Sequence, residues 1–171
     1  RSPLEINNEG FQKFIENFPY ELTPDQLKCS HSLINDFNSP KMMDRLICGE
    51  VGFGKTEMAL RASYISYMNG FQVCLMVPTT ILAEQHYETF TKRFSRYDVD
   101  VVLLTRNLST QEKKEVYFKV SNQPNLIVIG THALMNNKLD FNNVGLLIID
   151  EEHKFGVKQK EKIKSLKAQI D

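Results

Sequence analysis

A glycine-rich segment carries the clearest chemical signal in the sequence. Residues 49–56 read Gly-Glu-Val-Gly-Phe-Gly-Lys-Thr and match the pattern G-x-x-x-x-G-K-[ST] at every defined position. The glycines in this pattern let backbone N–H groups curl around a phosphate chain at the positive end of a helix. We therefore expect Lys55 to reach the β and γ phosphates of a nucleotide and the Thr56 hydroxyl to bind Mg²⁺. The candidate nucleotide-binding residues here are Gly49, Glu50, Val51, Gly52, Phe53, Gly54, Lys55, Thr56 and Glu57.

An acidic quartet forms the second signal. Residues 150–153 read Asp-Glu-Glu-His and directly follow the apolar run at residues 145–149. A carboxylate at the carboxyl end of a buried strand lies at the binding edge of a parallel sheet. We expect Asp150 to hold Mg²⁺, directly or through water, and Glu151 to orient and deprotonate an attacking water. An acidic loop without a catalytic role is the alternative, and the phosphate loop upstream argues against it.

A third segment imitates the guanine-reading motif N-K-x-D of GTPases. It reads Asn-Lys-Leu-Asp at residues 137–140, but it follows the nearest predicted strand at a distance instead of directly. GTPases also carry a D-x-x-G motif between the two, and none occurs between Lys55 and Asn137. The sequence therefore argues against a GTPase.

Short apolar runs alternate with helical patterns along the chain. Because most runs are apolar at nearly every position, they predict a mainly parallel sheet covered on both faces. Strands are predicted at residues 45–48, 72–77, 99–104, 125–129 and 144–149. Helices are predicted at residues 8–17, from Thr23 onward, at 56–69, 80–93 and 109–121, and at the lysine-rich 154–167. Strand–helix–strand repetition with short connections predicts an α/β fold, a three-layer sandwich with right-handed crossovers.

Local signals also mark helix ends. Gly70 is placed to end the helix at 56–69, since glycine is favoured just beyond a helix C-terminus. Ser109 precedes Glu112 by three residues, which is the spacing of a capping box at a helix N-terminus.

The charge and composition limit the classes of partner. The 171 residues include 21 Lys and Arg against 21 Asp and Glu, so the net charge is zero and any nucleic-acid binding must be local. No apolar run approaches the length of roughly 18 residues that a membrane helix needs, so no membrane partner is expected. The three cysteines are widely spaced and sit in apolar surroundings, which is typical of buried thiols in a reducing cytoplasm.

Several segments together resemble the first motor lobe of superfamily 2 DNA helicases and translocases. They are the phosphate loop, the acidic quartet, Thr-Pro-Asp-Gln at 23–26, residues 77–86 and residues 129–134. Within that superfamily, residues 18–26, 52–56 and 150–157 most resemble the bacterial transcription-repair coupling factors. The alternative is the related family of branched-DNA helicases that regress stalled replication forks. Those helicases typically have Ser where Phe53 stands and Gln where Glu152 stands.

The resemblance implies roles for further residues. Gln26 is expected to read the adenine edge with Phe18 near the base, although helix capping and core packing are open alternatives for these two. His153 is expected to couple the nucleotide site to DNA or to the partner lobe, the alternative being an ordinary surface histidine. The residues expected to grip DNA phosphates, each with an alternative role in a turn or cap, are Pro78, Thr79, Thr80, Thr105, Arg106, Thr131 and His132.

The resemblance also implies cofactors, partners and the boundaries of the domain. It implies ATP, Mg²⁺, double-stranded DNA, a second RecA-like lobe that supplies an arginine finger, and the bacterial cytoplasm as location. RNA polymerase and excision-repair proteins are implied through regions outside this chain. Residues 1–20 are expected to form a helix and linker, and 21–171 a RecA-like P-loop NTPase lobe. Because the sequence stops at Asp171, before the Ser/Thr-Ala-Thr motif of the next strand, we expect the lobe to lack its last strand and the isolated chain to be nearly inactive as an ATPase.

Overall fold

The fold comes from a computed structural model that describes residues 10, 14, 53–136, 138–150, 156–159 and 161, with residues 53–55 described by backbone alone. Three α-helices occupy these ranges: α1 (Phe53–Met68), α2 (Thr80–Arg93) and α3 (Thr110–Asn122). The strands are β1 (Gln72–Met76), β2 (Val101–Leu104), β3 (Leu126–Gly130) and β4 (Val144–Ile149), and a 3₁₀ turn covers His132–Met135.

The strands described here form one parallel sheet in the order β2-β3-β1-β4. Its register pairs Leu75 of β1 with Ile129 of β3 and with Ile148 of β4, and Leu103 of β2 with Ile129. Every residue of β1 and β3 is buried, as the continuous apolar runs predicted for a sheet covered on both faces.

Alternate side chains along each strand fill two cores, one on each face of the sheet. Val73 and Leu75 pack with α1, α2 and Phe14 on one face. Cys74 and Met76 pack with α3 and the 3₁₀ turn on the other face. This arrangement confirms the predicted three-layer α/β sandwich.

The predicted helix ends are confirmed. Gly70, two residues after the last residue of α1, adopts a φ of 82°, and the Phe71 N–H donates to the Ser66 carbonyl at 3.0 Å, so the chain turns into β1. Ser109 accepts from the Glu112 N–H at 3.1 Å while the Glu112 carboxylate accepts from the Ser109 N–H at 3.2 Å. Both halves of the capping box are therefore present.

The predicted elements agree with the observed ones to within three residues at each end. The largest shift is at α1, which begins at Phe53 instead of residue 56, so the end of the glycine-rich segment is already helical. Gly10 and Phe14 are helical, as are residues 157–159 and 161, in line with the helices predicted there. The strand predicted at 45–48 and the helix predicted from Thr23 lie outside the described residues.

The core is apolar and contains a reduced thiol. Cys74 is free, and burial raises the pKa of its thiol to about 12, so it stays protonated at neutral pH. Within the described ranges, every helix is too short or too polar to cross a lipid bilayer.

Candidate functional site at the carboxyl edge of the sheet

The strand ends bring several of the predicted site residues to one edge of the sheet. The strands are parallel, and Met76 is in register with Gly130 and with Ile149, while Gly130 is in register with Leu104. The segments that follow these residues therefore leave the sheet side by side. In spatial order they carry Thr105 and Arg106, then Thr131 and His132, then Pro78, Thr79 and Thr80, and finally Asp150.

Asp150 stands at one end of this row. Its N–H donates to the Met76 carbonyl at 3.0 Å, which extends the β1–β4 pairing by one residue and fixes where the side chain leaves the sheet. The carboxylate is 15% exposed, and its Oδ2 lies 3.2 Å from the Nε2 of His86 on α2. Burial of most of the side chain together with an edge position suits a metal-binding carboxylate.

His86 contacts the predicted site residue Asp150 but is not itself among the residues that the sequence motifs predicted for the site. It lies on α2, three residues after the buried Ala83 and four before the buried Phe90, so helical spacing places it on the core face. A polar residue at a core-facing position of a helix needs a hydrogen-bond partner, and that position was the signal available in the sequence. Its partner, Asp150, is 64 residues away and could not be read from the sequence.

The phosphate-loop segment is described only from Phe53 onward. Phe53, Gly54 and Lys55 form the first turn of α1, and Thr56 follows as a partly buried residue. The start of a helix at this point offers N–H groups and a positive dipole end to an anion. Gly49, Glu50, Val51, Gly52, Phe18, Gln26, Glu151 and His153 lie outside the described residues, so their predicted roles stay predictions.

The Glu57 side chain is buried and paired within the fold. It is 1% exposed, and its Oε1 accepts from the Nε of Arg61 and from an Nη of Arg93, both at 2.9 Å. Burial raises the pKa of the Glu57 carboxyl, and the attraction of Arg93 and Arg61 offsets this only in part. Glu57 was predicted to bind nucleotide, and with its side chain buried it can do so only through its backbone.

Arg93 links three parts of the fold. Besides Glu57 of α1, it binds the Phe14 carbonyl through an Nη at 2.7 Å, and its guanidinium lies 4.4 Å from the centroid of the Phe14 ring. Stacking of a guanidinium on an aromatic ring adds a favourable cation–π contact. The N-terminal helical residue Phe14 is thereby attached to both α1 and α2.

The threonines predicted to grip DNA serve in part as caps. The Thr79 hydroxyl accepts from the Leu82 N–H at 3.2 Å and caps α2, and the Thr131 hydroxyl accepts from the Ala133 N–H at 3.5 Å. Thr131 is 2% exposed and Thr105 is 1% exposed. Their side chains therefore cannot reach a ligand in this conformation, whereas Thr79, Arg106 and His132 are exposed at the same edge.

The donor set at the edge suits a hard cation such as Mg²⁺. In the described part of the chain, no group of three or more His, Cys, Asp or Glu side chains is arranged as a metal site. Mg²⁺ does not need such a cage, because it keeps several waters and takes one or two carboxylates together with substrate phosphates. The Asp150 carboxylate and the Thr56 hydroxyl are hard oxygen donors of the kind it binds.

Comparison with known proteins defines the class. The chain matches the DEAD/DEAH box helicase family over residues 23–171 and belongs to that family. Its sheet and flanking helices are a RecA-like helicase lobe. A solved structure, that of RecG bound to a three-way DNA junction, superimposes with a TM-score of 0.80 and 41% identity over 90% of this chain and 21% of that one.

The curated relatives point to one protein within this class. The chain is 50% identical over 168 residues to the transcription-repair-coupling factor of Haemophilus influenzae, covering 98% of the chain and 15% of that protein. It is 44% identical to the Escherichia coli coupling factor and 47% identical to that of Bacillus subtilis, in each case over 96% of the chain and 14% of the relative. The resemblance seen in the motifs is thus confirmed. The chain spans about one seventh of the length of these relatives.

Proposed function

We propose that this chain is the ATP-binding lobe of a double-stranded DNA translocase that removes stalled RNA polymerase and couples transcription to nucleotide excision repair. The observation that carries the proposal is the row of strand ends at one sheet edge, which sets Asp150 beside the turns predicted to contact DNA. The name and the 43–50% identity of the coupling factors support the particular parent protein.

At the nucleotide, four residues of this chain divide the work. Lys55 binds the β and γ phosphate oxygens, while Thr56 and Asp150 hold Mg²⁺. When bound there, Mg²⁺ would supply positive charge to offset the charge that develops on the transferred phosphoryl group. Glu151 accepts a proton from the attacking water and so raises its nucleophilicity.

The turns at the carboxyl edge of the sheet hold DNA by its phosphates and do not read its base sequence. Thr79, Arg106 and His132 are exposed, and backbone N–H groups at strand ends can donate to phosphate oxygens. Contacts of this kind set the register of the duplex without reading bases. The Thr131 hydroxyl and the Thr105 carbonyl stabilise these turns by accepting from the Ala133 and Leu108 N–H groups.

The remaining parts of the proposal concern the full-length coupling factor, in the bacterial cytoplasm, to which we assign this chain. A second RecA-like lobe supplies an arginine that stabilises the transition state, which in related ATPases is worth about 10³–10⁵ in rate. RNA polymerase and excision-repair proteins bind regions outside this chain.

A fork-regression helicase is the second candidate. The structural match to RecG, with a TM-score of 0.80, favours this candidate, although the match concerns this lobe alone. The two candidates differ in what the full-length protein does: a coupling factor displaces a stalled RNA polymerase from DNA, and a fork helicase converts a model replication fork to a four-way junction.

The nucleotide role is tested by Lys55→Ala in the 171-residue chain, with a fluorescent ATP analogue as the probe. Loss of a charge-assisted hydrogen bond of about 1.5–3 kcal/mol predicts a decrease in affinity of roughly ten- to a hundredfold. Lys138→Ala removes an exposed lysine elsewhere and serves as the matched control, expected to bind as the wild type does. Equal affinity of the Lys55 variant and the wild type would show that the loop is only structural.

A further inference from the structure

His86 is a polar residue on the core-facing surface of α2, among buried apolar side chains. Ala83 and Phe90 are fully buried against the sheet, and His86 lies between them with its ring edge-on to Phe90 at 6.4 Å between centroids. A largely buried polar side chain is as a rule hydrogen-bonded, so the partner of His86 is the informative contact.

The contact that His86 makes is directed at the site. Its Nε2 lies 3.2 Å from the Asp150 Oδ2, and both side chains are 15% exposed. When Asp150 is ionised, as metal binding requires, its carboxylate only accepts, so the contact then uses the His86 tautomer that carries its proton on Nε2. A carboxylate offers about four lone-pair positions, so a single hydrogen bond does not by itself prevent it from binding a metal.

We propose that His86 is a positioning residue: its Nε2–H holds the Asp150 carboxylate in the orientation that binds Mg²⁺ with the nucleotide. The inference rests on the proposed function, in which Asp150 binds that ion. A carboxylate at a sheet edge that is held by a neighbouring donor loses little rotational freedom on binding the ion, which favours binding.

The position of His86 along α2 connects this role to the other half of the edge. The helix is capped by Thr79, seven residues before His86, which corresponds to about two turns or roughly 10 Å of helix. One helix therefore carries both the turn predicted to contact DNA and the donor that orients Asp150.

The test compares His86→Leu with His86→Gln in the 171-residue chain, titrating a fluorescent ATP analogue with Mg²⁺ and with EDTA. Loss of an outer partner of a metal ligand typically lowers metal affinity by 10–100-fold. We expect His86→Leu to reduce the gain in nucleotide affinity that Mg²⁺ provides by about tenfold, with the affinity in EDTA unchanged. We expect His86→Gln to keep most of the gain, because its amide N–H can donate in place of Nε2.

Gln85→Leu is the matched control, since it makes a polar-to-leucine change at the neighbouring exposed position of the same helix. It is expected to behave as the wild type does. A His86→Leu chain that is folded by circular dichroism and retains the full effect of Mg²⁺ overturns the inference. If the wild type binds nucleotide equally well with and without Mg²⁺, the proposed Mg²⁺ site itself is wrong. That result is visible in the wild type alone and is therefore distinct from a failure of the inference about His86.

A second measurement does not depend on the leucine variant. In the chain labelled with ¹⁵N-histidine, the His86 Nε2 resonance is assigned as the one absent from His86→Gln. It is expected to shift in Asp150→Asn and to stay in place in Gln85→Leu. An unmoved resonance in Asp150→Asn overturns the inference whatever the nucleotide titrations show.

Discussion

At the scale of single residues, Glu57 shows how the fold separates neighbours in sequence. Thr56 precedes it and is predicted to bind Mg²⁺, whereas the Glu57 carboxylate is buried between the guanidinium groups of Arg61 and Arg93. A buried ion pair gives little net stability, because the cost of removing both partners from water is comparable to their attraction. What this cluster provides is a fixed connection between α1, α2 and Phe14.

The pH dependence of stability tests the state of Glu57. Burial raises the pKa of its carboxyl above the ordinary value of 4.5, outweighing the attraction of Arg93 and Arg61. Between 4.5 and the raised pKa, the folded chain binds more protons than the unfolded chain, so stability falls as the pH rises. The contribution of Glu57 is fully present below 4.5 and is lost as the pH rises through the raised pKa.

We therefore expect the free energy of unfolding of the wild type to increase relative to that of Glu57→Gln as the pH is lowered. Urea unfolding between about pH 4 and about pH 7.5 measures the difference. Glu115→Gln changes an exposed carboxylate and controls for general charge effects. A difference that stays constant with pH, or that grows toward alkaline pH, would contradict this account of the buried carboxylate.

At the scale of elements, the ends of β2 and β3 lie so close together that the last residue of β3 has no room for a side chain. Gly130 ends β3, and a Cβ built there would lie 2.3 Å from the Leu104 carbonyl oxygen on β2 and 2.9 Å from the Leu134 Cγ. A backbone carbonyl in a sheet cannot move aside as a side-chain end can. Glycine at this position therefore allows β2 and β3 to carry Arg106 and His132 out of the sheet next to each other.

We expect Gly130→Ala to destabilise the chain by about 1–3 kcal/mol, the usual cost of overpacking a filled core. The control is Gly156→Ala, where the nearest atom to an added Cβ is 3.8 Å away and the change should stay within about 0.5 kcal/mol. Urea unfolding followed by circular dichroism compares the two. Equal stability of the two variants would mean that the contact with Leu104 is relieved at no cost.

At the scale of the whole molecule, the sheet order determines which motifs share an edge. The described strands are ordered β2-β3-β1-β4, and the turn at Pro78–Thr80 and Asp150 follow the adjacent strands β1 and β4. The exposed turns extend away from Asp150 along the row. Under the proposed function, a duplex along this row would contact Arg106, His132 and Thr79 in succession, and the nucleotide would bind at the end beside Asp150.

The chain by itself is expected to bind nucleotide and to hydrolyse it at a rate near background. The proposed arginine of the second lobe would contribute about 10³–10⁵ in rate, equivalent to roughly 4–7 kcal/mol of transition-state stabilisation. Phosphate release by the 171-residue chain, with and without duplex DNA, is the measurement. Turnover that approaches that of a full-length coupling factor and is stimulated by DNA would contradict the proposal.

The sequence alone determined the fold class, the family and most element boundaries. These depend on local signals: apolar runs of four to six residues mark the strands, and the Ser109–Glu112 capping box and Gly70 mark helix ends through contacts within one turn. The strands at 72–76 and 144–149 were predicted to within one residue for this reason.

Only the tertiary structure decided which side chains face the site. The Asp150 contact with His86 joins residues 64 apart, and the Glu57 contact with Arg93 joins residues 36 apart. The burial of Thr105 and Thr131 was likewise not predictable, since their motifs read the same whether the hydroxyl points outward or caps a turn. Burial and pairing of this kind depend on which strands become neighbours, and a continuous apolar run is compatible with any position in a sheet that is covered on both faces.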